Sequence, residues 1–148
     1  MAICNFNGIQ KILIPTDGSE HSACAAECGI SIAKMLGAHI TVINVIDKVV
    51  LDQFSKVTQR ENLEQELKHD GQQYLKYILD LAEKEGIKGN SLLTKGEPFE
   101  QIVHSAKDLS IDLIVMGTHG RGRANKILIG SVTERVIEFS PCPVLVVK

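Results

Sequence analysis

The chain contains no tryptophan, and aromatic residues make up only 4% of its 148 positions. A packed interior must therefore come from Ile, Val, Leu and Ala. Cys4, Cys24, Cys28 and Cys142 form no CxxC pair, and in a reducing compartment free, mostly buried thiols are expected. Long apolar runs are missing. Leu113-Ile114-Val115-Met116 is far too short to cross a bilayer, so no membrane partner is expected. The start, Met1-Ala2-Ile3-Cys4-Asn5-Phe6, has no basic stretch followed by an apolar one, so a cytoplasmic location is expected. A basic excess is absent as well. The net charge is −2 and the pI about 6.2, which argues against a general nucleic-acid binder but leaves room for a local anion site. No internal repeat, low-complexity tract or linker divides the chain, so one domain over 1–148 is expected.

What is present is an alternation of short apolar runs and helical patterns. Lys11-Ile12-Leu13-Ile14 reads as a strand stopped by Pro15. Ser19 to Leu36 reads as a helix, with Ser19 or Asp17 as cap and Gly37 as a left-handed exit. His39 to Ile46 is a β-branched strand, Asp47 to Arg60 a variable loop. From Glu61 a long helix carries Leu63, Leu67, Tyr74, Ile78 and Leu81 at near-helical spacing and ends at Gly86. Lys88 to Thr94 is a short strand. Pro98 opens a helix with Ile102, Val103, Ala106 and Leu109 facing inward. Asp112 to Met116 is a buried strand, Ser131 to Phe139 a helix and Pro143 to Val147 the last strand. Strands separated by helices imply a doubly wound, Rossmann-like, five-stranded parallel sheet with helices on both faces. Ligands of such folds bind beyond the carboxyl ends of the strands, where strand order reverses.

The richest stretch runs from Gly117 to Ser131. Gly117 and Gly120 allow backbone N–H groups to approach a ligand. Arg121, Arg123 and Lys126 add cationic charge. Gly130-Ser131 opens a helix whose first N–H groups and dipole favour an anion. Together these features point to a phosphate cradle. No Gly-Lys-Ser/Thr closes it as in a P-loop, and it follows the fourth strand, unlike the dinucleotide fingerprint. Ser131 and Glu134 also match a capping box. Ser131 is thus either a cap or a phosphate ligand, while the backbone of Val132 and Thr133 stays available in both cases.

With Lys11 to Ser19, Asn44 to Asp47 and Asp112 to Lys148 in view, the chain resembles the universal stress protein family over essentially its whole length. Gly117, Gly120, Gly130 and Ser131 fit the G-x2-G-x9-G-[S/T] pattern of the family's nucleotide-binding branch. The resemblance implies an adenine nucleotide alpha hydrolase-like fold and a site for ATP, ADP or AMP. It implies phosphate and ribose contacts from Gly117, Thr118, His119, Gly120, Arg121, Gly122, Arg123, Gly130, Ser131, Val132 and Thr133. Asp17 would sit near the ribose or a phosphate-bound Mg. Pro15 and Thr16 would line the adenine side, and Val45 would read the base through its backbone. Asn44 stands where many members carry His. The resemblance also implies a homodimer through Val144 to Val147, an apolar strand edge that invites pairing.

Other constellations read as structural. His21, Cys24 and Cys28 share a helix stripe with Ile32 and Met35, which predicts a core face rather than zinc ligands. His119 is either a general acid or a hydrogen-bonding turn residue, and no catalytic residue is assigned. No second carboxylate is placed beside Asp17 by sequence. Cys142, between two prolines, reads as packed. The basic loop lacks the interleaved aromatics of an RNA site. The expected function is a nucleotide-responsive module acting on an unnamed downstream protein. The alternatives are a slow ATPase of the same fold and a nucleotide-free interaction protein.

Overall fold

The computed structural model of the chain describes residues 6–119 and 129–148. Strands β1 (Lys11–Pro15), β2 (His39–Asp47), β3 (Gly89–Gly96), β4 (Leu113–Gly117) and β5 (Val144–Val147) form one parallel sheet in the order β3-β2-β1-β4-β5. The chain steps outward from β1 to β3, then returns to the other side of β1. This reversal opens a crevice at the carboxyl ends of β1 and β4. The doubly wound α/β architecture expected from the sequence is the one observed.

Side chains alternate between two apolar layers, as strand geometry requires. Ile12, Ile14, Ile40, Val42, Leu113 and Val115 pack under α1 (Glu20–Leu36) and α3 (Val57–Lys84). Leu13, Ile43, Ile114 and Met116 pack under α4 (Pro98–Asp108) and α5 (Ser131–Phe139). With no tryptophan, the fully buried volume is filled by residues such as Ile12, Leu13, Ile14, Ile43 and Ile114. At the opposite end of the sheet, the Asp112 carboxylate accepts the N–H groups of Gln10 and Lys11, at 2.9 and 3.0 Å, and so ties β1 to β4.

α1 starts and stops as its sequence indicates. Ser19 accepts the Ser22 N–H at 3.2 Å, and Gly37 takes φ 66° while its N–H donates to Ala33. Its buried face, however, is Ser22, Ala25, Ala26, Gly29, Ile30 and Ala33. The His21-Cys24-Cys28-Ile32-Met35 stripe is not core. Met35 is 77% exposed and Cys24 is also exposed, while Cys28 and Ile32 are half-buried at the margin. Small residues win because a helix can then lie close on a sheet. At Gly29 a Cβ would stand 2.7 Å from Ile14 Cδ1. The expectation of mostly buried thiols fails at Cys24 for the same reason.

Three further expectations are corrected. Residues 47–60 are not a loop throughout, because α2 (Lys48–Asp52) forms there and α3 begins at Val57 rather than Glu61. The Asp47 carboxylate nucleates α2 by accepting the Val49 N–H at 2.9 Å. Leu109 is 38% exposed, because α4 ends at Asp108 and Leu109 forms its cap. Finally, β3 runs on to Gly96, two residues beyond the predicted end.

α3 is held close to β2 by one glycine. A Cβ on Gly71 would overlap the Asn44 side chain. Alanine is the better helix former by about 1 kcal/mol, yet Gly71→Ala should lower urea-measured stability by roughly 1–2 kcal/mol through overpacking. In an Asn44→Ala background the same change should become neutral or stabilising, and a double-mutant cycle measures the coupling.

Candidate functional site

A cleft of about 450 Å³ lies beyond the carboxyl ends of the central strands, a size typical of small-molecule sites. Its walls come from the β1–α1 turn, the end of β2, α3, the end of β4 and the starts of α4 and α5.

The strand ends set its chemistry. His39 N–H donates to Gln10 and Thr16 N–H to the Ile43 carbonyl, whereas Ile40 N–H donates to Lys88. The odd-numbered residues of β2 therefore face β1 and the even-numbered ones face β3. Val45 is the next odd residue after Ile43, and β1 has already ended at Pro15. The Val45 N–H and C=O consequently face the crevice side by side, as a donor–acceptor pair. Val45's neighbour Asn44 is buried, and its Nδ2 donates to the Thr16 carbonyl at 2.8 Å. This bond fixes the chain as it leaves β1.

Gly18, at φ 80°, turns the chain from β1 into α1, and a Cβ there would run into the Tyr74 ring. Tyr74 thus lies against the turn that carries Asp17. One Asp17 oxygen accepts the Ser19 N–H at 3.0 Å. Asp17, Asp47 and Asp70 all line the cleft. Among the described residues, no three His, Cys, Asp or Glu side chains converge where they could hold a metal. Asp17 could give a magnesium ion one carboxylate ligand. The remaining ligands would be phosphate oxygens and water, the usual arrangement for magnesium with nucleotides.

The opposite wall is the start of α5. Gly130 is the N-cap, with φ −71° and ψ 156°, and its N–H donates to Thr118 O at 2.6 Å. Ser131 is already the first helical residue, and no side-chain cap bond is made. The Ser131–Glu134 capping box is therefore not formed, since Ser131 sits one position too far along to reach the amides a cap would meet. The early N–H groups of α5 keep their donor capacity toward the cleft. Thr133 Oγ1 donates to Gly117 O at 2.8 Å, locking the helix start to the end of β4. Gly117 is pressed against α1, where a Cβ would come 2.8 Å from the His21 carbonyl oxygen. The His21 and His119 rings meet with centroids 5.2 Å apart.

Of the residues predicted from sequence, Pro15, Thr16, Asp17, Val45, Gly117, His119, Gly130, Ser131, Val132 and Thr133 come together around the cleft. Thr118 does not line it. It is buried, its N–H donates to Val147 O at 3.2 Å and its hydroxyl pairs with His119 Nδ1 at 2.9 Å. Gly120, Arg121, Gly122, Arg123 and Lys126 lie outside the described residues. Asp70 and Tyr74 were missed as site residues. The available signal was Asp70 standing between Leu67 and Tyr74 on one helical stripe, a charge where an apolar residue belongs. Cys142 lies outside the cleft lining, and burial pushes its thiol above the ordinary value, the reverse of what a reactive thiolate requires.

Fold and cleft together define a doubly wound α/β protein with a cleft at its topological switch point. The chain belongs to the universal stress protein family, whose sequence pattern it matches over residues 8–148. It is 42% identical to universal stress protein MJ0531 of Methanocaldococcus jannaschii over 142 residues, 96% of this chain and 84% of that one. It is 35% identical to MJ0577 of the same organism over 94% of each chain. The solved structure of MJ0577 superposes with a TM-score of 0.84, covering 94% of this chain and 95% of that one. The fold is also shared with a universal stress protein solved with cAMP (23% identity, TM-score 0.67, 94% of this chain and 96% of that one). Another, from Archaeoglobus fulgidus, was solved with dAMP (20%, 0.67, 95% and 98%).

The two hydroxyls at the start of α5 should separate cleanly in denaturation experiments. Thr133→Val leaves the buried Gly117 carbonyl without its donor and should cost about 1–3 kcal/mol. Ser131→Ala should stay within about 0.5 kcal/mol of wild type because no cap is lost, whereas Ser19→Ala, which removes a real cap, should cost about 1 kcal/mol.

Proposed function

We propose that this protein binds ATP or another adenine nucleotide in the switch-point cleft and acts as a dimeric, nucleotide-responsive module. The observation that carries the reading is the pairing of two opposed features. The Val45 N–H and C=O face the crevice from β2, and the uncapped start of α5 faces it from across the sheet. Adenine offers an acceptor next to an amine donor on its Watson–Crick edge, the complement of a backbone donor–acceptor pair. Phosphate is the complement of a helix N-terminus. Pro15, Ile43, Met116 and Ile102 supply apolar wall between the two.

In this arrangement Pro15, Thr16 and Val45 hold the base, and Asp17 faces the ribose. Gly117 through Arg123, with Gly130, Ser131, Val132 and Thr133, receive the phosphates, with Mg carried on the phosphates. The cAMP and dAMP complexes of two distant family members support the idea that this fold accommodates an adenine nucleotide. The binding energy acts by favouring one of two states of the protein, which a downstream partner then distinguishes. The surface from Lys48 to Arg60 is suited to that role. Val50 lines the cleft, while Val49, Phe54 and Val57 are exposed beside it.

The first test is the nucleotide that the protein carries through purification without added ligand, released by denaturation and identified by ion-exchange chromatography with mass detection. Stoichiometric ATP supports a holding site. ADP or AMP, together with turnover that depends on His119 or Asp17, would shift the reading to a slow ATPase. No nucleotide and no thermal shift with ATP would sink it. Gly130→Val puts a branched side chain at the mouth of α5, where it should weaken nucleotide binding at least about tenfold with the fold retained.

The dimer is expected to form through β5, one of the sheet's two edge strands. Ile114 N–H donates to Pro143 O and Thr118 N–H to Val147 O, so Val144 and Val146 turn their backbone groups to the outer edge. Val146→Pro removes an outward N–H without touching the β4 ladder. It should convert a dimer to a monomer in sedimentation velocity with the circular dichroism spectrum unchanged. A wild type that sediments as a monomer would refute the dimer.

A further inference from the structure

The described lining of the cleft holds three carboxylates, Asp17, Asp47 and Asp70, and no lysine or arginine. Where these carboxylates meet a phosphorylated ligand, the groups on it that they favour are hydrogen-bond donors, because an acceptor-only group facing another acceptor is repelled. In a nucleotide those donors, apart from the base amine, are the ribose hydroxyls.

The three carboxylates are not equivalent. Asp47 spends an oxygen capping α2 through the Val49 N–H, and Asp17 spends one on the Ser19 N–H. Asp70 makes no side-chain hydrogen bond or ion pair among the described residues and is only half-buried, on the wall formed by α3. Its position is nevertheless fixed. The next residue, Gly71, is pressed against Asn44, which holds Thr16. One turn further on, Tyr74 lies over Gly18, the residue after Asp17. One contact therefore holds this stretch of α3 to β2 and the other to the β1–α1 turn, and Asp70, which lines the cleft, lies beside both. A carboxylate set opposite a sugar is also how other parallel-sheet nucleotide sites read ribose hydroxyls.

We infer that Asp70 is a specificity residue that accepts a hydrogen bond from a ribose hydroxyl in the cleft that Asp17 also lines, so that the site selects ribonucleotides over their deoxy analogues. The inference rests on the adenine-nucleotide reading above and adds to it a sugar requirement and the residue that imposes it.

The experiment is calorimetric titration of the full-length protein with ATP, 2′-deoxy-ATP and 3′-deoxy-ATP, for wild type, Asp70→Ala and Asp70→Asn. Wild type should bind ATP about tenfold more tightly than at least one analogue, the effect of one hydrogen bond to a charged acceptor. Asp70→Ala should bring that ratio to within about twofold by weakening ATP while leaving the analogue nearly unchanged. Asp70→Asn, which retains a neutral acceptor, should fall between. Thermal melts monitor folding, and because the readout is a ratio between ligands, a general loss of stability cannot imitate it. Equal binding of all three ligands by wild type overturns the inference and spares the nucleotide reading, as does a ratio that survives in Asp70→Ala. Binding of none of the three removes both.

Discussion

The cleft depends on the side chain of Asn44. The last backbone bond between β1 and β2 is the Thr16 N–H to the Ile43 carbonyl, and past it the Thr16 carbonyl has no ladder partner. The Asn44 amide supplies the missing bond to the Thr16 carbonyl. The same side chain occupies the space that a residue larger than glycine would need at position 71. One buried polar group thus sets the path of the β1–α1 turn and the approach of α3. A buried amide left without its partner costs more than the bond contributes, so this arrangement specifies geometry as well as adding stability. The exit of β1, the exposed backbone edge of Val45 and the placement of Asp70 all follow from it.

From that clasp comes a cleft with two chemically opposite ends. On the side of β2 and α3 the groups are acceptors, namely the Val45 carbonyl and the Asp47 and Asp70 carboxylates, while Asp17 lies on the β1–α1 turn. On the side of β4 and α5 they are donors, the first amides of a helix capped only by glycine. The orientation of a ligand in such a cleft is decided by charge before any shape is fitted, because reversing a nucleotide would set phosphate against carboxylate. Unlike-charge placement of this kind contributes more to specificity than to raw affinity. It also explains the glycine at position 130. A serine or aspartate cap there would satisfy the very amides that an anion needs.

Much of this was legible in the sequence because the element ends carry strong punctuation. Pro15, Ser19, Gly37, Gly86 and Pro98 each mark a boundary that the structure reproduces to within a residue or two. The strand–helix alternation then left few topologies open. Misreadings arose where two periodic patterns competed. On α1 a stripe of larger residues looked like the core, but contact with a flat sheet selected the small-residue stripe containing Gly29 and Ala33. At Ser131 a local capping pattern was real in sequence and void in structure, because Gly130 had taken the cap position. At Asp47 the reverse held, since an aspartate taken for the start of a loop became the cap of α2. The ligand-facing role of Asp70 had only a weak signal, a charge in an apolar stripe. Its meaning depends on which loop α3 packs against, and that is a tertiary fact.

The separation of the cleft's ends also bears on whether binding passes into chemistry. Phosphoryl transfer to water needs a base or a water-orienting group at the terminal phosphate. Asp47 and Asp70 sit at the β2 and α3 side, away from the start of α5. At the α5 end, the titratable side chain among the described lining residues is His119, whose Nδ1 is engaged with the Thr118 hydroxyl. If phosphates occupy the α5 end, Asp47 and Asp70 are directed to the sugar and base rather than to water. The same polarity that would fix a nucleotide's orientation would therefore withhold Asp47 and Asp70 from its reactive end. It favours retention of an intact nucleotide, the condition a slow, partner-read module requires.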